Sequence, residues 1–155
     1  MRHGYLLSTL LLVAASAQAG VVINGTRLVY QGDKKESSLG LSNPDTTDYL
    51  VQSWVDSGGK NLAKAPFLIT PPLFRLDAKE DNVLRVVRTG GNLPEDRESL
   101  YWLNIKAIPS SKHVEGVNTL QIAINTRIKL LYRPSAVKGK PEDMADKLEW
   151  HREGN

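Results

Sequence analysis

Residues 93–109 read Leu93-Pro94-Glu95-Asp96-Arg97-Glu98-Ser99-Leu100-Tyr101-Trp102-Leu103-Asn104-Ile105-Lys106-Ala107-Ile108-Pro109. A charged corner, Glu95 to Glu98, runs into an aromatic and β-branched stretch of the kind that fits a pleated, half-buried surface. The stretch stops at Pro109, which has no amide hydrogen to offer a ladder. Working outward, residues 120–132 make a second long strand, joined to the first by a polar loop around 110–116. Upstream, 83–88 is a strand ended by Gly90-Gly91, and 67–70 and 73–76 flank Pro71-Pro72, an edge or a sheet-switching corner. Residues 49–56 alternate, with Leu50, Gln52 and Trp54 on one face and Tyr49, Val51, Ser53 and Val55 on the other. Residues 38–42 alternate and stop at the turn pair Asn43-Pro44, and 21–30 form a first strand interrupted by Gly25. Many short strands with regular turn signals predict an all-β, immunoglobulin-like two-sheet sandwich over residues 20–134, with Trp54 as its core plug.

The chain begins with a leader pattern. Arg2 and His3 precede an apolar run from Leu6 to Ala14, and Ala17-Gln18-Ala19 is a small-residue cleavage site. Residues 1–19 are therefore expected to be a secretory signal, with Gly20 as the mature N-terminus. No stretch reaches the length of a membrane helix, so no membrane insertion is expected. Losing Arg2 lowers a formal charge of only +3 by one, and the remaining cations are scattered, so nothing points to nucleic acid. With no cysteine, an exported domain must be held by its core, and cysteine-based zinc sites are excluded.

Catalytic constellations are weak. His3 leaves with the leader, His113 falls in the hairpin loop and His151 in the tail, with no metal-ligand spacing. Gly58-Gly59-Lys60 lacks the spacing of a phosphate loop, and no cofactor motif is found. Asn24-Gly25-Thr26 fits a glycosylation acceptor but falls within a strand pattern. Glu95, Asp96, Arg97 and Glu98 read as corner ion pairs rather than acid–base machinery. The expectation is a protein that is not an enzyme and needs no metal or cofactor.

In Leu120-Gln121-Ile122-Ala123-Ile124, followed by Arg127-Ile128-Lys129-Leu130-Leu131-Tyr132-Arg133-Pro134, the apolar residues 120, 122 and 124 point one way. Periodicity alone favours packing into the domain's own core. The other face carries Gln121, Ala123, Asn125, Arg127 and Lys129, thin protection for a long edge. Together with the 93–109 stretch, Tyr49 to Asp56, Pro66-Phe67 and Thr70-Pro71-Pro72-Leu73-Phe74-Arg75-Leu76, this segment resembles the periplasmic pilus chaperones, the PapD-like family, over nearly all of 20–134. The short connection from Pro109 to Asn118 resembles that family's short-loop branch.

The resemblance implies a chaperone that completes pilus or fimbrial subunits by lending them a strand and delivers them to an outer-membrane usher. Such strand addition is a known mode of peptide recognition. It implies that Leu120, Ile122 and Ile124 are the donated side chains. It implies that Arg27 and Lys129 hold the subunit's C-terminal carboxylate. It places the protein in the periplasm. Residues 135–155 are expected to be a linker and the truncated beginning of a second immunoglobulin-like domain, with 147–150 opening a strand. The rival reading is a secreted structural sandwich or a pilus-subunit-like protein. A subunit would lack a strand, whereas here the set is complete.

Overall fold

The computed structural model describes residues 20–59, 65–111, 120–139, 141–151 and 154. Among these residues nine strands follow in chain order: β1 (Val22–Ile23), β2 (Arg27–Gln31), β3 (Glu36–Ser42), β4 (Tyr49–Asp56), β5 (Phe67–Thr70), β6 (Leu73–Leu76), β7 (Asp81–Arg88), β8 (Ser99–Pro109) and β9 (Ile124–Arg133). They form two sheets, ordered β1-β3-β7-β5 and β2-β9-β8-β4-β6. Every pairing is antiparallel except β2 with β9, which is parallel.

The sandwich arises because alternate residues of each strand meet across a dry interior. Leu39, Leu41, Leu84, Val86 and Ile69 from one sheet face Leu28, Val51, Leu76, Leu103, Ile105 and Leu130 from the other, all buried. Each such side chain contributes about 1.5–3 kcal/mol on burial, before ordering costs.

Two of the places where the chain crosses between sheets show their cause in the sequence. The first strand pattern splits at Gly25, whose φ of +152° suits a residue without Cβ, so β1 joins one sheet and β2 the other. Pro71-Pro72 does the same for β5 and β6, as a sheet-switching corner requires. The charged corner before β8 is structural in part: Glu98 pairs with the well-covered Arg133 at 3.4 Å, and Glu95 approaches Arg88 at 3.9 Å.

Three expectations are corrected. Trp54 is not the core plug: Val51 and Ser53 take the buried face of β4, and Trp54 lies half-buried on the outer one. The aromatic centre is instead Tyr30, Phe67, Tyr101 and Tyr132, with the Phe67 ring 5.5 Å from Tyr30 and 5.1 Å from Tyr101. Next, β9 begins at Ile124, not at residue 120, because pairing with β8 starts at Ala107 opposite Ile124. Finally, residues 147–150 open no strand. A 3-10 helix spans Pro141–Lys147, and Leu148 and Trp150 beyond it are exposed. The leader, the 112–119 connection with His113, and Lys60 lie outside the described residues.

Candidate functional site: a basic pair beside an open strand edge

The parallel pairing of β2 with β9 places Arg27 directly opposite Lys129. Residues in register on neighbouring strands project to the same face, about 4.8 Å apart at the backbone. Leu28 and Leu130 point into the core, so Arg27 and Lys129 both point out, and both are exposed. Among the described residues neither cation has an acidic partner within ion-pair distance. Like charges on neighbouring exposed side chains repel, a repulsion that an anion seated between them turns into attraction.

Across β9 the next strand contributes Trp102, the residue opposite Lys129. Arg127 lies over that ring at 4.6 Å and is itself neutralised by Asp56, at 2.7 Å. Asp56 is almost fully buried and accepts hydrogen bonds from Arg127 Nη2, from Asn104 Nδ2 at 2.7 Å and from the Gly58 amide at 2.8 Å. Burial on its own pushes the Asp56 carboxyl up. The Gly58 amide, Asn104 and Arg127 together outweigh it and hold the carboxyl below the usual range. This cluster fixes Arg127 and Trp102 beside Lys129. Sequence reading missed it because Asp56 and Arg127 stand on strands separated by β8.

Removing Asp56 should be costly. Asp56→Ala leaves the Asn104 and Gly58 donors unpaired, and we expect a loss of about 2–4 kcal/mol in urea unfolding at pH 7. A depressed carboxyl contributes stability above its unfolded pKa of about 3.9 and loses it as pH falls towards the folded value. The stability gap between the wild type and Asp56→Asn should therefore narrow between pH 5 and pH 2. An unchanged gap would show that Asp56 carries no net charge interaction.

The edge beside the basic pair is open. β2 pairs with β9 only from Lys129 onward, so residues 124–128 of β9 have β8 on one side and no strand on the other, among the described residues. Inward-pointing residues continue upstream in the same parity, but the sandwich does not close over them. Exposure rises from 8% at Ile128 to 53% at Ile124, 66% at Ile122 and 87% at Leu120. The own-core packing that periodicity favours for these three residues is therefore not what the fold does with them. Ile122 and Ile124 line a groove of about 410 Å³ between the sheets, whose other walls include Val21, Ile23, Tyr49 and Ile105. Among the described residues no cluster of His, Cys, Asp and Glu could hold a metal ion, and no helix is long and apolar enough to cross a membrane.

Comparisons with known proteins agree with this fold. The pattern of the family described as pili and flagellar-assembly chaperone, PapD N-terminal domain, matches residues 20–138. The chaperone protein LpfB of Salmonella typhimurium is 48% identical over 99% of this chain and 69% of its own length. The chaperone protein FimC of Escherichia coli K12 is 43% identical over 98% of this chain and 64% of its own. A solved chain from the Salmonella enterica complex of SafA pilin with the SafB chaperone superposes with a TM-score of 0.80 at 44% identity, over 91% of this chain and 67% of that one. The Escherichia coli chaperone DraB gives 0.76 at 43%, over 88% and 65%. This chain thus spans about two thirds of the length of these relatives. It belongs to the PapD-like family of pili and flagellar-assembly chaperones, through that family's N-terminal domain.

Proposed function

We propose that this domain stabilises pilus or fimbrial subunits in the periplasm by strand addition and hands them on to an outer-membrane usher. The observation that carries the reading is the β9 edge, open among the described residues, next to Arg27 and Lys129, which have no ion-pair partner among those residues. A subunit whose C-terminal carboxylate sits on that pair would end where β2 begins. Its last strand would then occupy the line β2 would follow if it continued upstream, and so run parallel to β9. Main-chain hydrogen bonds supply the pairing, and Leu120, Ile122 and Ile124 enter the guest's unfinished interior. The tethered carboxylate fixes the register, which matters because a one-residue slip turns every side chain to the wrong face.

In this reading residues 1–19 direct export and are removed ahead of Gly20. Residues 135–155 are a linker and the start of a second domain. The protein catalyses no reaction, since the free energy of capture comes from burial and pairing alone. The test is refolding. A subunit diluted from denaturant should aggregate alone and remain soluble in a one-to-one complex with this protein, without nucleotide. Aggregation that the protein leaves unchanged refutes the chaperone reading.

A further inference from the structure

The amino end of the domain is held by a site that strand addition does not require. The Gly20 amide donates to Asp45 Oδ2 at 2.7 Å, and the Tyr49 hydroxyl donates to the same oxygen at 2.7 Å. Asp45 does not drift, because its own amide donates to Asn43 Oδ1 at 3.1 Å. Asn43 is buried, and its Nδ2 donates to the carbonyls of Thr47 at 2.8 Å and Asp77 at 2.9 Å. Gly20 has a φ of +102°, a conformation that favours glycine, and a Cβ there would lie 3.9 Å from Ile124 Cδ1. Gly20 and Tyr49 both line the groove that holds Ile122 and Ile124.

We propose that Asp45 and Tyr49 form a receptor for the chain's own α-ammonium group at Gly20, and that filling it sets the groove wall against Ile124. The proposal rests on the reading that the leader is cut after Ala19. Hydrolysis of the Ala19–Gly20 bond by a signal peptidase consumes one water and leaves an Ala19 carboxylate and a Gly20 amine. That amine takes up a proton and stands where the amide stood, with three donors and a full charge in place of one neutral donor. A charge-assisted hydrogen bond is about twice as strong as a neutral one, so maturation tightens a contact already in place. The other charged group facing Asp45 is Lys79, whose ammonium donates to the Pro44 carbonyl. The Tyr49 hydrogen bond, then the Gly20 amide, with Lys79 a lesser influence, hold the Asp45 carboxyl below the usual range against its burial. Tyr49 is pushed up to about 12, so it stays a donor throughout the pH range in which an α-amine titrates.

The test uses exported protein, in which intact mass first establishes whether the chain starts at Gly20. A different mass refutes the cleavage reading itself. With a Gly20 start, the titration of the unmodified amine is followed by NMR through the Gly20 α-carbon resonance of 13C-labelled protein, folded and in urea. We expect the folded pKa to exceed the unfolded one by about one unit, a tenfold preference for the charged form. In Asp45→Asn the difference should vanish, and in Tyr49→Phe, a second variant should the first not fold, it should change measurably. A raised amine pKa adds stability below the unfolded value and loses it as pH rises through the folded one. The melting advantage of wild type over Asp45→Asn should accordingly shrink between pH 7 and pH 10. The Ile124 δ1 methyl resonance should titrate with Gly20 in the wild type alone. A correct mass with equal folded and unfolded amine pKa overturns the receptor, and an Ile124 methyl that does not respond overturns its link to the groove.

Discussion

Lys129→Ala should lower subunit affinity by about ten- to a hundredfold or more while the melting temperature stays within about two degrees of wild type. The magnitude follows from the chemistry of the contact. A hydrogen bond to a charged group is worth about 1.5–3 kcal/mol, and each 1.4 kcal/mol is a factor of ten in binding. The stability expectation follows from the setting: Lys129 is exposed, without an ion-pair partner among the described residues, and surface substitutions of that kind fall within about ±0.5 kcal/mol. Arg27→Ala should behave alike, because the parallel register sets the two cations opposite one another. Titration calorimetry with a subunit carrying a native C-terminus, and again with an amidated one, separates anchoring from general charge. Lys129→Ala should cost much less against the amidated subunit. Equal losses for both subunits would mean that the carboxylate is not what Lys129 holds.

The two ends of this site differ in how far the sequence could reveal them. Arg27 and Lys129 stand at opposite ends of the domain, and nothing in spacing brings them together. Their meeting depends on β2 leaving the first sheet at Gly25 to run parallel to β9. The family resemblance supplied that pairing before the fold did. The β4 bounds and the Pro71-Pro72 corner were legible because alternation and proline chemistry act locally. Which face of β4 is buried was not legible, since both carry large apolar residues. Trp54 is excluded from the interior because Val51 and Ser53 share the parity that meets the opposite sheet. The start of β9 was overextended for a related reason. Leu120, Ile122 and Ile124 continue the alternation of Ile128, Leu130 and Tyr132 without a break, and alternation does not report where the partner strand stops. Asp45 is not legible in the sequence, because a lone turn carboxylate acquires meaning only when Gly20 lies against it.

That exposure gradient leads to the second large effect. Serine in place of Leu120, Ile122 or Ile124 removes apolar area that the domain itself mostly leaves in water, at 87%, 66% and 53% exposure. Complete burial of such a side chain is worth about 1.5–3 kcal/mol, so a guest that covers the exposed share gains roughly 1–2.5 kcal/mol from each. Single variants should weaken capture about five- to sixtyfold, and the triple variant by several hundredfold or more, after ordering costs that all variants share. Stability should follow the opposite order. Leu120→Ser and Ile122→Ser should melt near wild type. Ile124→Ser, whose side chain is half-covered beside Gly20, should melt several degrees lower, since about 1 kcal/mol shifts a domain of this size by roughly 4 °C. Calorimetry of the free variants and subunit-capture assays read the two quantities separately. Equal and large stability losses at all three positions, with capture unaffected once folding is restored, would return these side chains to the domain's own core and leave the open edge without a role.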